Sequence, residues 1–163
     1  MEIVLPPDFL SITKGKFILL DTCVFIDAFS KPKKFGEFFN DLKANNVTLV
    51  TIPEVLNEFL KGSPDEAKFN SKKDYVLSII ETLLPDSDIQ KNIESLIKSY
   101  GLESKDLSIS DLSLGATLMK YSKRLFLMSR DISDFPTTIF KRDTMLNITS
   151  HKTIHTYGFY SYV

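Results

Sequence analysis

The chain of 163 residues has the length of one domain, and its 43% hydrophobic and 25% charged residues are the balance of a folded protein and not of a disordered one. Its net charge of -1 provides no overall basic field for nonspecific nucleic-acid binding, so any such contact must be local. The single cysteine, Cys23, excludes an internal disulfide, and no signal peptide or membrane-length segment is seen, so we expect one cytoplasmic domain over residues 1–163 with no membrane partner.

The first candidate site residue follows the first predicted strand. Residues 1–16 are interpreted as a lead-in arm, because two prolines give their start an extended backbone. Residues 17–20 form an apolar run without alternation, which is typical of a parallel strand covered on both faces. Asp21 comes directly after this run, and open parallel sheets bind ligands beyond the carboxyl ends of their strands. Asp21 is therefore either a functional carboxylate or the N-cap of a helix that begins at Thr22.

Two helices, a strand and a third helix are predicted next. The first helix ends before Pro32, and the second runs from about residue 33 to the asparagines at 45–46. The phenylalanines of the second helix recur at helical spacing, which indicates a buried face. Residues 47–52 are rich in β-branched side chains and predict the second strand. Pro53 opens the third helix, and Gly62 ends it.

The middle of the chain is predicted to be helical. Residues 63–84 fit one helix or two, and a further helix is expected from about Asp86 to Tyr100. Ser110 is the predicted N-cap of the next helix, which places Asp111 in a first turn, where a carboxylate also complements the helix dipole. The apolar residues expected to face inward from the helix before Gly101 are Ile89, Ile93, Leu96 and Ile97.

The last part of the chain is predicted to return to strands. Residues 124–128 form the third strand, and Asp131 follows it. Residues 137–140 and 153–163 are predicted to supply further strands. Strands that alternate with helices indicate an α/β sandwich with a mainly parallel central sheet.

Four carboxylates are expected to meet at one edge of this sheet. Asp21 and Asp131 follow strands, while Glu58 and Asp111 lie on helices that flank the same edge. Carboxylates drawn together repel and raise one another's pKa unless a cation neutralises them, and oxygen-only sites suit Mg²⁺ or Mn²⁺. Such ions activate water and take up charge on a phosphodiester, so the implied reaction is phosphoryl hydrolysis.

Four stretches of the chain resemble the motifs of PIN-domain nucleases. They are Leu-Leu-Asp-Thr-Cys-Val-Phe-Ile-Asp at 19–27, Ile-Pro-Glu-Val-Leu-Asn-Glu-Phe at 52–59, Ser-Asp-Leu-Ser-Leu-Gly-Ala-Thr at 110–117 and Leu-Met-Ser-Arg-Asp-Ile-Ser-Asp-Phe at 127–135. The resemblance implies a single three-layer α/β/α domain that cuts RNA with Mg²⁺ or Mn²⁺ and leaves a 5′-phosphate. It also implies that the catalytic, metal-binding acids are Asp21, Glu58, Asp111 and Asp131.

Many members of this family are bacterial toxins of the VapC type. The resemblance therefore suggests an antitoxin protein and a second copy of the chain as further partners besides RNA. The segment before Asp21 and the stretch from Glu58 to Asp111 are both longer than in compact toxins. The nuclease is therefore the main expectation, and a toxin of a toxin–antitoxin pair is the narrower hypothesis.

Two of the acids have close competitors. Glu54 lies one helical turn before Glu58 and could also reach the cleft, but Glu58 matches the family position and Glu54 is explained by the helix dipole. An Asp-x-x-Asp turn lets either Asp131 or Asp134 approach a metal, and Asp131 is preferred. Asp27 is interpreted as a solvated helix residue.

Several neighbouring side chains have predicted supporting roles. The hydroxyls of Thr22 and Ser129 could orient a bound water or the metal ligands, and Arg130 is the predicted phosphate contact. His151 and His155 have the spacing of a zinc pair on a helix, but their neighbours favour a strand.

Two other functional classes compete with the nuclease. A catalytically silent domain of the same fold would bind RNA or a protein partner, and the complete acid set argues against silence. A small-molecule phosphatase is the third hypothesis. The order Asp21-Thr22-Cys23 lacks the second acid that an aspartate-nucleophile phosphatase carries two residues after the first.

Overall fold

The computed structural model describes residues 2–84, 89–101, 107–149 and 153–163. In these residues the helices are α1 (Phe9–Thr13), α2 (Thr22–Ser30), α3 (Pro32–Ala44), α4 (Pro53–Leu60), α5 (Glu66–Ile79), α6 (Gln90–Tyr100) and α7 (Ile109–Tyr121). The strands are β1 (Glu2–Val4), β2 (Phe17–Leu20), β3 (Thr48–Thr51), β4 (Thr82–Leu83), β5 (Leu125–Ser129), β6 (Lys141–Thr149) and β7 (Ile154–Ser161).

The described strands form one sheet in the order β1-β6-β7-β5-β2-β3-β4. The pairs β5–β2, β2–β3 and β3–β4 are parallel, whereas β1–β6, β6–β7 and β7–β5 are antiparallel. The predicted α/β sandwich is therefore confirmed, and its central parallel strands are the ones that the apolar runs in the sequence predict. Because β2, β3 and β5 are parallel, the segments that follow them leave the sheet at the same edge.

The segment predicted as a lead-in arm contains β1 and α1. β1 pairs with β6, and the ring of Phe9 in α1 is fully buried. This ring contacts Phe159 of β7 in a T-shaped arrangement, with 4.7 Å between the ring centroids. Residues 2–13 therefore help to cover the antiparallel half of the sheet.

The core is continuous across the sheet and includes the phenylalanine stripe of α3. Phe35, Phe38 and Phe39 are buried as their spacing predicts. α6 packs closely on α7 at Gly115, where a Cβ atom would lie 3.0 Å from both the Leu96 side chain and the Phe140 ring. The small residue at this position lets the two helices approach each other.

Some sequence predictions of secondary structure are wrong. Residues 137–140 form a turn in which two backbone N–H groups donate to the Pro136 carbonyl, and the strand begins only at Lys141. The short edge strand β4 lies in the segment predicted to be entirely helical. Ser108 and not Ser110 is the N-cap of α7, because the Ser108 hydroxyl accepts from the Asp111 N–H. Ile97, predicted to face inward, is 38% exposed.

The predicted start of the helix before Tyr100, at Asp86, lies outside the described residues, and α6 is described from Gln90. Among the described residues, no helix combines the length and the apolar character needed to cross a membrane.

Candidate functional site

Asp21 lies where β2 ends and α2 begins, and its predicted role as the N-cap of this helix is confirmed. Its Oδ1 accepts from the N–H of Thr22 at 2.6 Å, and it is the N-cap of α2. Its Oδ2 accepts from the Ser129 hydroxyl at 2.6 Å and lies 3.5 Å from the Cys23 sulfur. These donors are all neutral. Among the described residues, no cation forms an ion pair with this carboxylate.

The pKa of Asp21 is raised above its ordinary value of 3.8. Burial is the main cause, since the residue is only 6% exposed. The hydrogen bonds from Ser129, Thr22 and Cys23 lower this pKa, and the negative charge of Asp111 raises it further. The Asp21 carboxylate thus accepts hydrogen bonds from neutral groups, and no cationic side chain among the described residues offsets its negative charge.

Ser129 connects Asp21 to the segment that carries Asp131. The Ser129 hydroxyl donates to Asp21, and the same oxygen accepts the backbone N–H of Asp131 at 3.0 Å. Ser133 Oγ lies 3.0 Å from Asp131 Oδ1 and 3.3 Å from Asp134 Oδ1. The Ser129 hydroxyl, which the sequence predicts to orient ligands, therefore connects the Asp21 side chain to the Asp131 backbone.

Asp111 is held at the start of α7 by a capping box. Its Oδ2 accepts from the Ser108 N–H at 2.9 Å and from the Ser108 hydroxyl at 2.6 Å. The predicted place of Asp111 in the first turn of this helix is confirmed, and its charge raises the pKa of Asp21 and of Asp134. The Tyr100 hydroxyl at the end of α6 donates to the Asp134 carbonyl.

Asp134 is a partly accessible acid of the site whose pKa is raised. Its pKa rises from the ordinary 3.8 to about 6, first because of desolvation and then because of the charges of Asp111 and Asp131. Asp111 and Asp131 therefore both lie close enough to repel the carboxylate of Asp134. Asp131 is exposed, whereas Asp134 and Asp111 are half-buried, so the group is open to solvent.

The two glutamates of α4 face different neighbours. Glu58 Oε2 accepts from the Thr22 hydroxyl at 2.8 Å, which places this carboxylate beside Asp21 at the start of α2. Glu54 is half-buried, its Oε1 lies 3.5 Å from the Ser113 hydroxyl of α7, and its buried Oε2 has no hydrogen-bond partner among the described residues. Both glutamates therefore flank the acidic edge.

Asp27 is not a solvated residue, and the sequence interpretation of it is wrong. It is 7% exposed, and its Oδ2 accepts from Arg130 Nη1 at 2.9 Å and from the Tyr157 hydroxyl of β7. A signal in the sequence is its place among Val24, Phe25 and Ala28, all of which are buried. Arg130, the predicted phosphate contact, thus has an internal partner.

Among the described residues, neither Cys23 nor His155 belongs to a group of three side chains placed to hold a metal ion. Burial raises the pKa of Cys23 to about 12, so the thiol stays protonated and unreactive. His155 lies in β7 as its neighbours predict, and His151 lies outside the described residues.

The carboxylates at this edge of the sheet are candidate ligands for a divalent cation. Among the residues that the structure describes, no three His, Cys, Asp or Glu side chains are placed to hold one ion together. The donor chemistry nevertheless fits Mg²⁺ or Mn²⁺, because the available donor atoms are carboxylate oxygens, and the charge of Asp111 raises the pKa of Asp21 and of Asp134. Mg²⁺ commonly keeps several waters and takes only one or two protein carboxylates, so a partial ligand set is sufficient.

A comparison with known protein families agrees with this geometry. The family model described as PIN domain matches residues 18–134, a range that begins in β2 and ends at Asp134. No curated protein and no solved structure matches the chain.

Proposed function

Because the chain belongs to the PIN-domain family, we propose that it is an endoribonuclease that hydrolyses RNA phosphodiester bonds with the help of Mg²⁺ or Mn²⁺. The catalytic acids in this proposal are Asp21, Glu58, Asp111 and Asp131, with Asp134 as an additional metal ligand. The observation that carries the proposal is the buried Asp21 carboxylate, which is hydrogen-bonded to the Asp131 segment through Ser129 and has no cationic partner among the described residues.

The roles of the residues follow from their surroundings. Asp21 and Asp131 would hold the cation, since Ser129 fixes one relative to the other. Thr22 would orient Glu58 through the hydrogen bond that the two side chains share. The chemistry that a bound Mg²⁺ or Mn²⁺ supplies is the activation of water and the neutralisation of phosphate charge during hydrolysis. The exposed Asp131 and Glu58 leave room for an RNA backbone at this edge.

The test is cleavage of labelled single-stranded RNA by the purified chain with Mg²⁺, with Mn²⁺ and with a chelator. We expect cleavage only with metal, and products that carry a 5′-phosphate. The Asp21→Asn variant is purified in parallel, because cleavage that survives this change would come from a contaminating nuclease. Asp143→Asn is the matched control, since Asp143 is paired with Lys141 on β6 and belongs to no part of the proposed site.

The choice between the two glutamates can be tested in the same assay. Glu58→Gln should reduce cleavage more strongly than Glu54→Gln, because Glu58 is bonded to the residue next to Asp21. The reverse order would assign the role to Glu54, whose buried and unpartnered oxygen would then be a ligand.

A catalytically silent domain that binds RNA or a protein is the second candidate. The observation in its favour is that no three described side chains are placed to hold one ion. RNA binding without cleavage in any metal would support it, and hydrolysis of an aryl phosphate without RNA cleavage would instead support a phosphatase.

We also propose the narrower role of a cytoplasmic toxin, partnered by an antitoxin and by a second copy of the chain. Expression in a bacterium should then stop growth, whereas Asp21→Asn should not. A small adjacent reading frame whose product binds and silences the chain would support this role, and growth that continues despite active enzyme would refute it.

A further inference from the structure

The last residue of β5 and the residue after it, Ser129 and Arg130, make three contacts with α2 and its N-cap. Asp21 accepts from the Ser129 hydroxyl, and the Cys23 sulfur accepts from the Arg130 N–H at 3.3 Å. One turn further along the helix, Asp27 accepts from Arg130 Nη1 at 2.9 Å. The last of these contacts, between Asp27 and Arg130, belongs to no role assigned above.

Asp27 is held in this position by two donors, of which one is a cation. Its side chain is 10% exposed, and the Tyr157 hydroxyl donates to the same oxygen that Arg130 binds. Burial raises the pKa of Tyr157, so this hydroxyl keeps its proton at neutral pH and donates it to Asp27. Removing either partner of a buried pair leaves the other charge poorly solvated, which is why such pairs hold their geometry.

His155 completes the surroundings of Arg130 as an acceptor. Its Nδ1 lies 2.6 Å from Arg130 Nη1 and 3.3 Å from Asp27 Oδ2. Arginine has only donors, so Nδ1 accepts from Arg130 and the imidazole is neutral with its proton on Nε2. The contact between His155 and Asp27 is therefore not an ion pair in this arrangement, and the guanidinium has two acceptors on one nitrogen.

The pairing opposes the repulsion among the acids of the site. Asp131 follows Arg130 directly and Asp134 follows three positions later, and the Ser133 hydroxyl oxygen lies 3.0 Å from Asp131 Oδ1 and 3.3 Å from Asp134 Oδ1, so the two carboxylates are close together. In the absence of a cation this repulsion favours movement of the segment away from the sheet edge. Arg130 connects the same segment to α2, whose first turn carries Asp21. The guanidinium is thus placed to keep Asp131 near Asp21 when no metal is bound.

We propose that Asp27 is a positioning residue for the metal site: through Arg130 it holds residues 129–134 against α2, so that Asp131 stays beside Asp21. This inference rests on the proposed function, because it takes Asp21 and Asp131 as metal ligands. Asp27 itself touches neither metal nor RNA. The Arg130 guanidinium is also the phosphate contact predicted from the sequence. Holding residues 129–134 and contacting phosphate are two roles that give different experimental results.

The first experiment follows backbone hydrogen exchange in the metal-free chain, which needs neither metal nor activity. Asp27→Asn and Arg130→Met should both accelerate exchange of residues 129–134 relative to the parent. Asp143→Asn is the matched control, because its carboxylate is also 10% exposed, pairs with Lys141 at 2.7 Å and accepts from the Ser161 hydroxyl. It should leave exchange in this segment unchanged, and equal acceleration in all three variants would overturn the proposal.

The second experiment measures Mn²⁺ affinity by titration calorimetry. Changes of residues that orient metal ligands typically weaken affinity by about 10–100-fold, so Asp27→Asn and Arg130→Met should raise the Kd by about tenfold. The double variant should be no weaker than either single one, because both changes break the same contact. Arg130→Lys keeps the charge and should restore part of the affinity. Unchanged Kd values in both single variants would refute the positioning role.

The RNA assay separates this proposal from its alternatives. If Arg130 contacts phosphate, Arg130→Met raises the KM for RNA while Asp27→Asn leaves segment exchange and the Mn²⁺ Kd unchanged, and the positioning role is wrong. A parent chain that binds Mn²⁺ but cuts no RNA refutes the nuclease, while exchange and calorimetry still decide the role of Asp27. A parent chain that binds no Mn²⁺ refutes both the nuclease and the positioning role of Asp27.

If Asp27→Asn does not fold, Arg130→Met is the variant that decides. The Arg130 side chain is 39% exposed, and Asp27 keeps the Tyr157 hydroxyl as a donor.

Discussion

Asp21 and Asp27 are two buried aspartates at the N-cap and in the body of the same helix, and they have opposite electrostatic surroundings. Asp21 is 6% exposed and accepts only from neutral donors, whereas Asp27 is 7% exposed and accepts from the guanidinium of Arg130. The pKa of Asp21 is raised, chiefly by burial. Asp27 is thus neutralised by a cationic side chain of the protein, whereas Asp21 has no such partner among the described residues and is the proposed metal ligand. Burial of an acid therefore does not distinguish a proposed metal ligand from a residue held in an internal ion pair, whereas the charge of its partners does.

The largest expected effect concerns activity at the first of these aspartates. Asp21→Asn should lower kcat/KM for RNA by about a thousandfold, because charge stabilisation by a metal is worth several kcal/mol and about 1.4 kcal/mol corresponds to tenfold. Its metal-free stability should stay close to that of the parent, since Asn is an equally good N-cap and avoids the cost of ionising a buried acid. Urea unfolding checks the second part. A large loss of stability without metal would mean that Asp21 is a structural cap.

The next effect is the stabilisation of the parent by metal. Mn²⁺ at a hundred times its Kd should raise the free energy of unfolding by about 2.7 kcal/mol, because only the folded chain presents the site. Asp21→Asn should lose most of this gain, and Asp143→Asn should keep it. Thermal unfolding with and without Mn²⁺ measures both. Equal gains in Asp21→Asn and the parent would place the ion elsewhere.

Asp27 should show the reverse of Asp21 in the metal-free chain. Asp27→Asn should lower the free energy of unfolding by about 2 kcal/mol, less than for a fully buried pair because the Arg130 side chain is partly exposed. The comparison is made by urea unfolding with a chelator present. If Asp21→Asn and Asp27→Asn destabilise the chain equally, the inferred difference in electrostatic surroundings between the two carboxylates is wrong.

The smallest effect is the pH dependence at Asp134. Its pKa is 3.8 in the unfolded chain and about 6 in the folded one, so its stabilising contribution is complete below about pH 4 and is lost as the pH rises through about 6. Metal-free stability should therefore fall over this interval more steeply in the parent than in Asp134→Asn, as urea unfolding at several pH values would show. Mn²⁺ should reduce the difference, because a cation lowers the raised pKa. Identical pH profiles would show that Asp134 is not coupled to the other acids.

Much of the fold could be predicted because its signals are local. The apolar run before Asp21 and the β-branched run before Pro53 each predict a strand, and the phenylalanine spacing of α3 predicts its buried face. The turn at 137–140 could not be predicted in this way. Its residues have strand-like side chains, but the backbone hydrogen bonds to Pro136 and the burial of Phe140 depend on the rest of the fold.

For the candidate site, the residue pattern predicts which acids follow strands and helix starts, and the ends of parallel strands lie at one edge of the sheet. The partners that neutralise each acid depend instead on three-dimensional packing. The partners of Asp27 are Arg130 and Tyr157, which lie 103 and 130 positions away along the chain, and the hydroxyl that joins Asp21 to Asp131 comes from Ser129, 108 positions from Asp21. Hydrogen bonds and charge pairs act over a few ångströms in space, so their partners are set by packing and not by nearness in sequence.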